Sequence, residues 1–152
     1  MSTKAAPGRR ETSWVLRLGL IMAGIGVLLI VVAVIVYMAD RATRNAPLSV
    51  VTYPDAELVA TAPLGEGHDR VRYISPSPAE EIGTFYQREL GEESCRRFEN
   101  SAQDADQPPF QYRCYVDRSS LFVTQVTIIT IQPGVGEYAG QTLIDMERTW
   151  GQ

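Results

Sequence analysis

Chemistry in this chain would have to come from very few side chains. Cys95 and Cys114 are its only cysteines, and His68 is its only histidine. Two thiols and one distant imidazole fall short of a tetrahedral metal site. Flanked by Gly67 and Asp69, His68 reads as an exposed loop residue. An even pair of cysteines in an oxidising compartment is usually a disulfide. It would close a loop of about twenty residues and stabilise the domain by roughly 3 kcal/mol. The alternative is two unrelated buried thiols. Glu80-Glu81 and Glu92-Glu93 are most simply helix-end and surface charges, not a catalytic carboxylate pair. There is no Cys-x-x-Cys-His for haem, no Gly-rich phosphate loop and no Gly-x-Ser-x-Gly elbow. The residue inventory points away from an enzyme and implies no cofactor and no metal.

What must position these residues is organised by residues 18–38, a run of 21 residues without a charge. As a helix it covers roughly 30 Å, the thickness of a bilayer's hydrocarbon core. A signal peptide's apolar region is usually about 7–15 residues, so this run reads as a retained anchor. Lys4, Arg9, Arg10 and Arg17 precede it closely, and only Arg41 and Arg44 follow closely. That bias predicts a cytoplasmic N-terminus, a single pass through the cell membrane and an extracytoplasmic C-terminal domain. Trp14 and Tyr37 fall where an aromatic belt would lie. Thr12 or Ser13 is an expected helix N-cap. Gly19, Ala23, Gly26 and Ala33 share one helix face, on which a neighbouring helix can approach closely. Partners are therefore expected among other membrane-protein subunits, with the remaining helix surface in lipid.

The chain divides by composition into a basic cytoplasmic tail (1–13), a transmembrane helix (14–39), a linker (40–49) and an extracytoplasmic domain (50–152). The domain is acidic: residues 51–152 carry sixteen Asp and Glu against eight Arg. A net charge of −8 disfavours nucleic acid. It also offers a rim to a basic soluble partner.

Within the domain, Val50 to Tyr53 and Glu57 to Ala60 read as extended pieces around a turn, and Gly65-Glu66-Gly67-His68 as a loop. Arg70 to Ile74 alternates as a strand. Ser77-Pro78-Ala79-Glu80 has the form of a capping box. Ile82, Phe85, Tyr86 and Leu90 follow at helical spacing, and Gly91 is placed to end the helix in the left-handed conformation. The stretch from Glu92 to Pro109, with its Asp104-Ala105-Asp106 segment, reads as irregular. Strands are expected over 110–116, 121–132 and 142–148. A shift of apolar phase between Val126/Ile128 and Ile129/Ile131 suggests a bulge or burial on both faces. The fold class is a single transmembrane helix plus an α+β ectodomain, an antiparallel sheet with one packed helix in the order β-β-α-β-β-β.

Tyr53-Pro54-Asp55-Ala56-Glu57-Leu58-Val59, Val71-Arg72-Tyr73, Ser77-Pro78-Ala79-Glu80-Glu81-Ile82, Phe85-Tyr86 and Leu90 carry a resemblance. They are similar to a small Tyr-Pro-Gly-Ala module of bacterial secreted or membrane-anchored proteins, many of them lipoproteins. Asp55 stands where that pattern has Gly, and Gly91-Glu92 stands where Gly-Trp often follows the helix. The resemblance implies an α+β fold and an extracytoplasmic place, and no particular activity. The layout of one helix and a small acidic domain also resembles accessory subunits of bacterial electron-transfer complexes, such as alternative complex III or reaction-centre assemblies.

Overall fold

With neither proline nor charge between positions 18 and 38, nothing interrupts a helix there. In the computed structural model, which describes residues 11–100, 107–120 and 123–151, α1 runs Glu11–Arg44. Thr12 and Ser13 lie inside α1, not at its start, so neither is its N-cap. The rest of the basic tail, the Asp104-Ala105-Asp106 segment and Leu121-Phe122 lie outside the described residues. Asp40 to Arg44 is helical, where the sequence reads as linker. Ala39, Arg41, Ala42 and Arg44 are strong helix formers, and the Asn45 N–H closes the last turn on the Arg41 carbonyl at 3.1 Å. Pro47 then disfavours helical geometry at Ala46. The chain divides into two compact units, Met1–Asp40 and Arg41–Gln152.

The second unit is one six-stranded antiparallel sheet with a helix packed on it. Its elements are β1 (Glu57–Gly65), β2 (His68–Ser75), α2 (Ala79–Leu90), β3 (Cys95–Glu99), β4 (Phe110–Asp117), β5 (Gln125–Pro133) and β6 (Thr142–Trp150). The spatial order is β1-β2-β6-β5-β4-β3. One strand more than expected is present: β3 lies in the stretch that reads as irregular. At the other edge β1 is longer than expected and exposed along its whole length. Its register shifts between Leu58 and Ala60 and between Pro63 and Gly65, irregularities typical of edge strands. Val50 to Tyr53 is not a strand, and Leu48 and Tyr53 are instead buried. The Gln125 amide donates to the Ala46 carbonyl at 3.0 Å. The chain from Ala46 onward is thus packed as part of the domain. No bulge interrupts β5, whose register with β4 and β6 is continuous. Gln125, Thr127, Ile129 and Ile131 are buried on one side of it, and Val126, Ile128 and Thr130 are half-buried on the other.

Helix α2 covers one sheet face. Ala79, Ile82 and Tyr86 meet Tyr112, Cys114, Ile129, Ile131, Ile144 and Met146 in the core. Gly83 permits the closest approach, since a Cβ there would sit 2.8 Å from the Tyr112 ring. The expected capping box does not form. Pro78 is the N-cap, with no side-chain cap bond. Ser77 is engaged elsewhere: its carbonyl accepts from the Thr142 hydroxyl at 2.7 Å, and its Oγ lies 3.2 Å from the Tyr53 hydroxyl. That hydroxyl also donates to Glu81 at 2.9 Å, which ties the chain ahead of β1 to the first turn of α2. Gly91 has a positive φ of 95°, but its ψ of 142° lies outside the left-handed helical region.

Candidate interaction surface

Because strand side chains alternate, covering one sheet face with α2 leaves the other to residues that include His68, Arg70 and Arg72 of β2, Asp145, Glu147 and Thr149 of β6, Val126, Ile128 and Thr130 of β5, Arg113, Tyr115 and Asp117 of β4, and Arg96 and Phe98 of β3. One row across this open face is set by register: Arg72 opposite Asp145, Asp145 opposite Thr130, Thr130 opposite Arg113, and Arg113 opposite Arg96.

At the β2–β6 end the charges are matched. Arg72 grips Asp145 with two bonds, at 2.8 and 3.2 Å, and this raises the guanidinium pKa. Arg70 meets Glu147 at 3.0 Å and holds its carboxyl below the usual range. His68 Nε2 lies 3.1 Å from the same carboxylate. His68 is therefore a strand residue with a partner, not the exposed loop residue its neighbours suggest. On the covered face, beyond α2, Arg148 pairs with Asp69 at 2.8 Å.

The β3–β4 end differs. Arg96 and Arg113 are both exposed and directly opposite. Neither has a carboxylate partner among the described residues. Asp117, the carboxylate of β4 on this face, is held low by Ser119 and also accepts from the Tyr115 hydroxyl at 3.1 Å. Phe98 and Tyr115 are 45% and 51% exposed. A hollow of about 370 Å³ beside Arg113 is lined by Arg70, Ile128, Thr130, Asp145 and Glu147.

A second concavity, of about 490 Å³, lies against α2 and is lined by Tyr53, Pro54, Glu81, Thr84, Phe85 and Arg88. The Tyr53 and Phe85 rings meet edge to face at 5.3 Å.

The two cysteines sit opposite each other in register on β3 and β4, with Cα atoms 4.0 Å apart and their sulfurs bonded. The bond lies under α2, on the face away from Arg96 and Arg113. Glu80-Glu81 opens α2 and Glu92-Glu93 lies in a short 3-10 turn, and these two pairs are not brought together as one site. Among the described residues, no group of three or more His, Cys, Asp or Glu is arranged to hold a metal ion. In α1, Gly19, Ala23 and Ala33 are exposed and Gly26 is half-exposed. A Cβ at Gly19 or Gly26 would meet nothing within 4 Å. The pairing of Arg96 with Arg113 was missed in the sequence because β3 was missed. Cys95, whose expected partner fixes the register, was the available signal.

No protein-family model, no curated protein and no solved structure matches this chain.

Proposed function

We propose that this chain is a single-pass membrane protein that serves as a non-catalytic accessory subunit of a larger bacterial membrane complex. The N-terminus lies in the cytoplasm and the acidic domain outside the cell membrane. The observation that carries this reading is α1. From Trp14 to Arg44 it is long and apolar enough to cross a bilayer, and its span is 0% buried. Its small residues on one face suit close helix packing, on which association within lipid depends. The layout fits an accessory role in respiratory or photosynthetic electron transfer, with the acidic rim open to a basic soluble partner. The test is solubilisation in mild detergent followed by pull-down. The wild type should carry fixed membrane partners. Gly19→Leu and Ala23→Leu should lose them while still inserting. Retention of every partner by both variants would remove the helix-packing basis.

A free-standing anchored binding module is the second reading, favoured by the aromatic-lined concavity at Tyr53 and Phe85. It becomes the better one if the wild type brings down nothing.

A further inference from the structure

We infer that the β3–β4 end of the open sheet face docks an extended acidic segment of a partner protein, with Arg96 and Arg113 receiving its carboxylates. Like charges directly opposite in an antiparallel pair are unfavourable. Arg70 and Arg72 on the same face are both matched by in-register carboxylates, whereas Arg96 and Arg113 lie opposite each other and neither meets a carboxylate among the described residues. A guanidinium fork takes a carboxylate with two parallel bonds. Two such forks on neighbouring strands lie about 5 Å apart at the backbone. Side chains on one side of an extended chain repeat at about 7 Å, within the reach of both arginines.

Phe98 and Tyr115 bracket the pair, each two residues along its strand and in opposite directions. Exposed aromatics beside arginines are the composition of protein–protein contact centres. Neighbouring carboxylates leave room for this chemistry. Asp145 and Glu147 are engaged by Arg72 and Arg70. Asp117 is four residues along β4 from Arg113, about 13 Å away at the backbone. The acidity of the rest of the domain is screened beyond about 8 Å at physiological ionic strength. The docking surface requires no particular membrane topology for α1, so it stands apart from the accessory-subunit reading.

The test uses the full chain in detergent and a fluorescent decapeptide of Asp and Glu, with a Lys decapeptide as the opposite-charge probe. The acidic probe should bind, and binding should weaken as salt rises from about 0.05 to 0.5 M. Arg96→Gln combined with Arg113→Gln should weaken it at least about tenfold, since both charge-assisted contacts are lost. Arg97→Gln is the control. Arg97 lies on the opposite face, paired with Glu99 at 2.8 Å and over the Phe110 ring at 4.2 Å, so affinity should hold. Arg96→Glu places a carboxylate across from Arg113; it should abolish probe binding while the thermal midpoint stays or rises, which separates lost docking from lost folding. The inference is overturned if the acidic probe does not bind, if the Gln pair binds it like wild type, or if the Lys probe binds equally well. It is also overturned if millimolar phosphate or a short-chain phosphatidylglycerol displaces the probe completely, marking a general anion or lipid-headgroup site.

Discussion

Reducing the Cys95–Cys114 bond should cost the domain about 3 kcal/mol. The two cysteines are 19 positions apart. In the chain-entropy model, releasing a closed loop of about twenty residues returns roughly 11 cal/mol/K to the unfolded ensemble, or about 3 kcal/mol at 25 °C. Both side chains are buried, Cys114 completely, so the test is reduction, which leaves the core side chains in place, and not truncation. For a domain of this size the loss corresponds to a fall of about 15 °C in thermal midpoint. The assay is urea unfolding of the full chain in detergent, with and without reductant, followed through Trp150 at the end of β6. Trp14 in α1 supplies a signal whose baseline can be subtracted with a Trp14→Phe variant. The oxidised and reduced proteins should differ in midpoint, the reduced one unfolding at lower urea. Coincident curves would show that the crosslink does not constrain the unfolded chain. Two free thiols in the mass spectrum of the non-reduced protein would remove the crosslink itself.

Gly83→Ala should destabilise by about 1–2 kcal/mol: overpacking against the Tyr112 ring costs about 1–3 kcal/mol, offset by up to about 1 from helix propensity. Chemical denaturation at a single temperature measures it. Tyr86→Phe should be neutral or stabilising by up to about 1 kcal/mol, because the Tyr86 hydroxyl is fully buried without a good hydrogen-bond partner. Its burial also pushes the phenol pKa up to about 12; a clear loss of stability in the Phe variant would reveal a partner for that hydroxyl. Glu147 is held low by Arg70, so its contribution is present above its unfolded value of about 4.3 and is lost as pH falls through its lower folded value. It is 39% exposed, so screening keeps the effect below about 1 kcal/mol. Glu147→Gln should flatten the acid limb of the stability curve below about pH 4.5; an unchanged limb would count against the pair. A reporter fused after Gln152 should be active only outside the cytoplasm, and cytoplasmic activity would reverse the proposed orientation.

Elements that carry their own periodicity were legible in the sequence. The apolar run of α1 is continuous, and the amphipathic α2 and the alternating β2 and β4 each bury a face that local spacing describes. What failed did so where another part of the chain decides. Strand β3 carries Arg96, Arg97 and Glu99 at a sheet edge, so no apolar alternation marks it. The capping box was lost to tertiary competition. Thr142 and Tyr53, each more than twenty residues away, occupy Ser77. Strand β1 runs on through Pro63, a residue that ordinarily argues against a strand, because an edge needs no donor on its outer side. The candidate surface was the least legible part. Arg96 and Arg113 become neighbours only through the β3–β4 register, and that register follows from the same pairing that joins Cys95 to Cys114.

The disulfide and the arginine pair are therefore coupled consequences of one piece of structure. β3 is five residues long, pairs with β4 alone among the described residues, and is exposed except at Cys95. A strand this short and charged is a weak partner for a sheet, and opposing Arg96 to Arg113 weakens it further. The buried crosslink, one residue from Arg96 and one from Arg113, holds them together against that repulsion. A charge pair that served stability would place a carboxylate there, as Asp145 and Glu147 do at the other end of the same face. Instead the covalent bond fixes side by side two guanidinium groups that have no carboxylate partner among the described residues, an arrangement that favours an acidic partner over self-neutralisation. Reduction should then loosen acidic-probe binding as well as stability, because β3 would no longer be pinned in register. Probe affinity that is unchanged in reduced, still-folded protein would show that the β-ladder alone maintains the surface.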